Sequence, residues 1–347
     1  MFLRNCWYVA AWAHELGETP LARTILDEPV VLYRAQDGRI AALEDRCCHR
    51  RLPLSLGRIK GDRLQCGYHG LEYDPSGQCV AIPAQLHIPP DARIKSYPVV
   101  ERHRWIWIWM GDPALADPAS ILDFHWLDDP AWGAKGDMFP VKCNWQLIVD
   151  NLLDLTHLTY VHQATIGNQA TTDKAEQTVE RLPDGVRVSR WIMDSPPPPT
   201  YVRMGGFNGN VDRWQIIDYT APCFVRLNVG ASPAGTGARE GRRVGGINMY
   251  NLNAITPETD RSVHYFWAQA HDFSPREKEV TEKLFKEIYT TFKEDWAILE
   301  AQQREIERDP DSSIIDIRVD AAANQARRMV DDLVAAETAG ARSHAAE

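Results

Sequence analysis

Long hydrophobic runs are missing from this chain. No stretch approaches the roughly 20 apolar residues that span a bilayer, and the most apolar segment, Trp105 to Met110, is strand-length and follows Arg102, His103 and Arg104. It reads as a buried strand, and no membrane partner is expected. Positive charge is in deficit too: 38 Lys and Arg stand against 48 Asp and Glu, a formal net charge of -10. No summed positive field exists to hold a phosphate backbone, so nucleic acid is not an expected partner. Residues Met1 to Trp12 lack a signal-peptide core and a small-residue cleavage site, which points to the cytoplasm. Cysteine is sparse and odd in number, seven in all at 6, 47, 48, 66, 79, 143 and 223. That excludes a disulfide scaffold and turns attention to metal binding. No internal repeat is present.

What is there is ordinary globular composition, 44% hydrophobic and 25% charged, over 347 residues. That length suggests two domains. From Asn5 to Met110, short β-branched and aromatic runs (Pro29 to Arg34, Ile40 to Leu43, Trp105 to Trp109) alternate with turn signals at Asp37-Gly38, Gly61-Asp62 and Pro75-Ser76-Gly77. This is an all-β module. An Ala/Asp/Pro-rich connector from Gly111 to Pro118 closes it, dividing the chain into 1–112 and 113–347. The second part opens with a helical pattern over Trp145 to Val161. Strand-like segments follow at Gly185 to Met193, Trp214 to Tyr219, Phe224 to Val229, Val244 to Ala254 and Ser262 to Ala270. A long amphipathic helix then runs from Pro275 to about Arg308. A final helix from Asp320 with a frayed tail completes an α+β fold, an all-β domain followed by an antiparallel sheet with helices.

Cys47 and His49 are two apart and Cys66 and His69 three apart, in two loops with Gly57, Gly61, Gly67, Gly70 and Gly77 nearby. The spacing alone does not separate zinc from iron and sulfur. The order does, because zinc modules usually keep Cys with Cys and His with His, whereas here each loop supplies one of each. A 2Fe-2S centre with two thiolates on one iron and two imidazoles on the other needs that arrangement. Through Cys47-Cys48-His49-Arg50 and Cys66-Gly67-Tyr68-His69-Gly70, followed by Tyr73-Asp74-Pro75-Ser76-Gly77, the chain resembles the Rieske proteins. Cys47, His49, Cys66 and His69 are then the cluster ligands and Cys48 a bystander.

The segment Asn144 to His162 is apolar enough to be buried yet carries Asp150, Asn151, Asp154, His157 and His162. Burying so many polar groups without partners is costly. Asp154 and His157 share a helical face, but His157 and His162 would lie about 140° apart on an ideal helix. Both can meet one ion only if the helix is irregular there. The D-x-x-H-x-x-x-x-H pattern resembles that of the Rieske non-haem iron oxygenases, most closely the vanillate O-demethylase, toluenesulfonate methyl-monooxygenase and dicamba O-demethylase group.

This resemblance implies a catalytic domain of helix-grip type holding mononuclear Fe(II) by two His and one carboxylate, with positions open for O2 and substrate. It makes His157 and His162 ligands and places the third at Asp295, with Glu294 the weaker candidate. Asn151 matches a family asparagine near the iron. Asp154 is either an acceptor that orients a ligand His or, as the family implies, a bridge to a cluster His of a neighbouring subunit in a head-to-tail homotrimer. No G-x-G-x-x-G follows a strand, so a separate NAD(P)H-dependent reductase is implied as electron source.

The expected reaction is monooxygenation of a small aromatic acid, foremost O-demethylation of a methoxybenzoate such as vanillate with release of formaldehyde. The alternatives are methyl or ring hydroxylation of an aromatic carboxylate or sulfonate, or an electron-transfer protein without catalysis. An acidic substrate calls for a cation or amide donor. Asn253, which aligns with a polar pocket position before Thr256-Pro257-Glu258-Thr259, leads the candidates. Arg203 and Arg226 follow, with Asn208 and Asn228; Trp214, Phe207 and Trp267 are candidates to stack on a ring.

Overall fold

The structure, a computed structural model, describes residues 1–169 and 174–344. The chain separates into two compact units, 1–123 with 256–260 and 124–255 with 261–347. The first unit extends beyond the connector expected to end it at residue 112. Asp112 and Asp117 cap two 3-10 turns there, accepting from the Ala114 and Ala119 amides, and Trp7 and Arg102 donate to the carbonyls of Asp117 and Pro118. The connector is thereby tied back into the first core.

That unit is all-β. Strands β1 (Trp7–Trp12), β10 (Val99–Arg102) and β11 (Trp105–Trp109) form one sheet with β11 in the centre. All five residues of β11 are buried, as the WIWIW run requires. The charged residues before it make the hairpin turn, with His103 and Arg104 both at positive φ; that turn geometry matches the twist of the strands it joins. A second sheet takes β2 (Leu21–Ile25), β3 (Glu28–Arg34), β4 (Ile40–Glu44) and β9 (Ser96–Tyr97). The third takes β5 (Arg58–Lys60), β6 (Arg63–Gln65), β7 (Glu72–Tyr73) and β8 (Cys79–Ala81). Between β7 and β8, Asp74 Oδ1 accepts from the amides of Ser76 and Gln78. Gly77 has φ +82 there, and a Cβ on it would stand 2.2 Å from the Ile94 carbonyl oxygen.

The second unit is built on a seven-stranded antiparallel sheet in the order β12-β18-β17-β16-β15-β14-β13. Its strands are β12 (Gly133–Val141), β13 (Ala175–Arg181), β14 (Gly185–Ser195), β15 (Val211–Thr220), β16 (Phe224–Pro233), β17 (Ile247–Pro257) and β18 (Val263–His271). Among the described residues its helices are α1 (Trp145–Leu153), α2 (Leu158–Val161), α3 (Pro199–Gly205), α4 (Lys278–Arg308) and α5 (Ala321–His344). The fold is the α+β arrangement read from the sequence. The continuous helix expected over 145–161 is broken at Asp154, and the expected frayed tail at 345–347 lies outside the described residues. Helix α4 buries Leu284, Ile288, Phe292, Asp295 and Leu299 along one stripe, so a single carboxylate sits among its apolar core residues.

Candidate metal centres and cavity

The loop cysteines belong to the hydrophobic core. Cys47 and Cys66 are buried in the cluster of Val31, Tyr33, Leu54, Leu64 and Tyr73, while His49 and His69 are exposed at the loop tips. The two imidazole rings lie 4.6 Å apart. Burial pushes the Cys66 thiol up, and the amides of Tyr68 and His69 aimed at its sulfur pull it back. Two buried thiols beneath two exposed imidazoles are the donor set that a Rieske 2Fe-2S cluster needs. The Tyr73 hydroxyl stands 3.1 Å from both Cys47 Sγ and Cys48 Sγ and accepts from the Cys48 amide at 3.2 Å.

The break at Asp154 assembles the second centre. Asn144 caps the start of α1 by accepting from the Gln146 amide. Asp154 leaves the helix with φ -112 and ψ 99, and its Oδ1 accepts from the Thr156 amide at 2.8 Å to start a new turn. His162 ends α2 with φ -111 and ψ 33. The Gly167 amide donates to its carbonyl at 2.9 Å. A Cβ on Gly167 would meet the Leu158 carbonyl oxygen at 1.9 Å. With the ideal helix abandoned, the His157 and His162 rings come to 5.2 Å of each other.

Asp295 closes the constellation from α4. The ligand atoms of His157, His162 and Asp295 lie within 4.8 Å of one another; Asp295 Oδ1 is 3.1 Å from His162 Nε2 and 3.5 Å from His157 Nε2. Asn151 Nδ2 donates to the same oxygen at 3.2 Å. His157 Nδ1 faces the Asp154 carbonyl at 2.6 Å, and His162 Nδ1 faces Glu294 Oε2 at 2.7 Å. Glu294, the weaker ligand candidate from sequence, therefore lies on the far side of the His162 ring from the ligand cluster. Burial lowers the His157 pKa. Burial works the same way on His162, but the hydrogen bonds and charges of Asp295 and Glu294 outweigh it and the pKa rises. Two imidazole Nε2 atoms and one carboxylate converging in this way fit a mononuclear iron and leave room for other ligands.

These three residues help line a cavity. Its sheet wall follows strand alternation: Arg213 and Gln215 from β15, Leu227 and Val229 from β16, Met249 and Asn251 from β17, Gln269 from β18. Arg226 and Asn228, on the intervening positions of β16, project from the other face, and Asn228 accepts from Trp214 Nε1 at 2.7 Å. Arg203 is not on the cavity either. It is exposed on α3 and donates to Glu287 and Thr200. Asn253 is fully buried one step behind the wall, donating to the Val225 carbonyl at 3.0 Å and to Asn251 Oδ1 at 2.9 Å while accepting from the Tyr265 hydroxyl at 2.7 Å. Phe207, Asn208, Trp214 and Trp267 are likewise not among the lining residues.

Sequence reading missed Arg213, Gln215, Asn251 and Gln269, whose signal was polar residues at alternate positions of otherwise apolar strands. Buried Arg190 was missed as well. Its Nη1 donates to Gln215 Oε1 at 2.9 Å and to the Leu155 carbonyl at 3.0 Å. Burial, with Arg213 nearby, pushes Arg190 down to about 10. Arg213 lies over the Tyr201 ring, 4.7 Å from its centroid.

Comparison with known proteins agrees with both centres. Residues 6–98 match the Rieske [2Fe-2S] domain and residues 141–336 the vanillate O-demethylase oxygenase C-terminal domain. The toluene-4-sulfonate monooxygenase system iron-sulfur subunit of Comamonas testosteroni is 44% identical over 98% of this chain and 99% of its own. The vanillate O-demethylase oxygenase subunit of Pseudomonas sp. (strain HR199 / DSM 7063) is 40% identical over 97% and 96%. A crystal structure of dicamba monooxygenase bound to 3,6-dichlorosalicylic acid superposes with a TM-score of 0.91 at 38% identity, covering 97% of this chain and 99% of that one. The two domain matches, with relatives at 38–44% identity over nearly the whole length, show that the chain belongs to the family of Rieske non-haem iron monooxygenase oxygenase components.

Proposed function

We propose that the protein is a terminal oxygenase that monooxygenates a small aromatic acid, foremost by O-demethylation of a methoxybenzoate such as vanillate. The observation that carries this reading is the polarity of the cavity wall beside the His157, His162 and Asp295 cluster. Arginine only donates, so Arg190 fixes the Gln215 amide with its oxygen turned to the guanidinium, which leaves Nε2 for the cavity. The Val225 carbonyl only accepts, so it fixes Asn253 and, through it, Asn251, whose Nδ2 donates on to Gln269 Oε1 at 3.2 Å. The three amides of the sheet wall thus have their oxygens engaged within the protein. Gln269 Nε2 also donates to the Ala270 carbonyl at 3.3 Å and Arg213 Nη2 to the Ile166 carbonyl at 3.0 Å; the second hydrogens of these amides and the rest of the guanidinium suit a ligand whose polar end only accepts, a carboxylate or sulfonate.

When bound, the cluster supplies single electrons and the iron activates dioxygen. Cys47, His49, Cys66 and His69 would hold the first, and His157, His162 and Asp295 the second. The apolar side chains of Leu155, Leu158, Ile288 and Phe292 line the cavity with them and exclude bulk water from the ring. In the overall balance, one oxygen atom of O2 enters the methyl carbon and the other leaves as water, with two electrons and two protons consumed. The resulting hemiacetal collapses to a phenol and formaldehyde.

Electrons come from a separate NAD(P)H-dependent reductase. Assembly is as a head-to-tail trimer, in which Asp154 of one subunit reaches a cluster histidine of the next. The experiment is turnover of the reconstituted system on vanillate and on toluene-4-sulfonate. Stoichiometric formaldehyde from vanillate supports O-demethylation. A benzyl alcohol from toluene-4-sulfonate alone favours methyl hydroxylation, the second reading, which the 44% identity to the Comamonas subunit supports. Oxygen uptake with neither acid overturns both.

A further inference from the structure

Helix α4 presents two consecutive carboxylates to one imidazole. Asp295 Oδ1 stands 3.1 Å from His162 Nε2, and Glu294 Oε2 stands 2.7 Å from His162 Nδ1. We propose that Glu294 is the positioning residue for His162, holding its ring and tautomer so that Nε2 is offered to iron. The inference rests on the iron-site reading above.

With Nε2 given to iron beside Asp295, the one proton of a neutral His162 belongs on Nδ1, where the Glu294 carboxylate, which only accepts, takes it. His157 reaches the same tautomer by a different route, through the backbone carbonyl of Asp154 at 2.6 Å. The two backings are not equivalent. The carbonyl is neutral and set by the chain, whereas Glu294 brings a full negative charge, and charge-assisted hydrogen bonds are roughly twice as strong as neutral ones. A carboxylate behind a metal-ligating imidazole also raises its basicity as a ligand.

Solvent cannot easily take over this task. His162 is 1% exposed, whereas the Glu294 side chain retains 31% of its exposure. The carboxylate therefore reaches from the surface to a ring that water does not reach. Removing it leaves a buried N–H without its acceptor, which is costly, and frees the ring to turn or to move its proton to Nε2. Asp295 cannot compensate, because it occupies the other edge of the ring.

The test compares Glu294→Ala and Glu294→Gln with wild type, first as iron affinity by chelator competition on protein with its cluster intact. The alanine variant should bind the mononuclear iron about 10- to 100-fold more weakly, the usual range for losing such a partner. The glutamine variant, which keeps an acceptor oxygen without the charge, should fall between the two. The second readout is the electron paramagnetic resonance line shape of the iron(II)–nitric oxide adduct, which should change in rhombicity in both variants while the cluster signal stays constant. Wild-type affinity and line shape in both variants overturn the proposal. So does a loss in alanine that glutamine does not relieve, accompanied by a lower melting temperature, since that is a packing role. Wild-type protein that takes up no iron beyond the cluster overturns the proposed function itself and this inference with it.

Discussion

Arg190, a residue only 1% exposed, donates from Nη1 to Gln215 Oε1 at 2.9 Å. A buried arginine behind a cavity-lining amide decides which end of that amide a ligand meets. Replacing it with leucine lets the Gln215 amide turn over and present its oxygen. Arg190→Leu should bind vanillate about tenfold more weakly, the worth of one hydrogen bond to a charged group, and bind the neutral vanillamide as well as or better than wild type. Dissociation constants for the pair, with iron content as control, check this; an unchanged acid-to-amide ratio contradicts it.

Tyr73 offers one hydroxyl proton to two sulfurs, Cys47 Sγ and Cys48 Sγ, each at 3.1 Å. A hydrogen bond to a ligand thiolate favours the reduced, more negative cluster. If the difference between the two redox states is about 1 kcal/mol, the one-electron potential shifts by about 40 mV. Tyr73→Phe should lower the potential by that order. Cys48→Ala, which removes the competing sulfur, should leave it equal or higher. Protein-film voltammetry measures both, and a lower potential in the alanine variant would make Cys48 more than a bystander.

Asp154 caps a turn in the structure and bridges to a neighbouring subunit in the proposed trimer. Its carboxylate caps the turn that brings His157 into place, and asparagine can do the same. Asp154→Asn should therefore keep both metal signals and the melting temperature while turnover falls steeply, if the carboxylate also bridges to a neighbouring subunit. Asp154→Ala should in addition lose about 1 kcal/mol of stability with the cap. Equal turnover in Asp154→Asn and wild type removes the bridging role.

Glu72 is 5% exposed and accepts from Lys60, Arg63 and Gln65. The Lys60 hydrogen bond, and then that of Arg63, hold its carboxyl below the usual range against the effect of burial. A depressed carboxyl stabilises the fold fully above its unfolded value of about 4.3 and loses that contribution as the pH falls through the lower folded value. The temperature at which the cluster absorption bleaches should thus fall on acidification below about pH 4.3. Glu72→Gln should flatten that dependence while costing about 1 kcal/mol near neutrality. Parallel curves for the two proteins would show that another group governs acid lability.

Local chemistry made much of this molecule legible from the chain. The Cys-x-His and Cys-x-x-His loops announce a mixed donor set by order alone. Asp295 was named only through the family resemblance, and the structure shows it as the one acid buried along the apolar stripe of α4. The i, i+5 spacing of His157 and His162 allows one shared ion only off the ideal helix, and His157 ends a 3-10 turn while His162 leaves α2 with φ -111 and ψ 33. The cavity wall was less legible because it is assembled across four strands. Arg213 and Gln215 share a face with Asn251 and Gln269 only once the register of β15 through β18 is set. Arg203 illustrates the opposite case: a basic residue near the right segment, taken up by Glu287 of α4, a partner 84 positions away that no local pattern reveals.

The most direct test of the account is the metal content of the purified protein, with iron and acid-labile sulfide counted per chain and a paramagnetic resonance spectrum taken after dithionite reduction. The account predicts about three irons and two sulfides per chain, with the low average g value of a cluster bound by two thiolates and two imidazoles. Zinc in place of iron with no such signal would contradict it. So would a stable value of about two irons and two sulfides that does not rise when iron is added back.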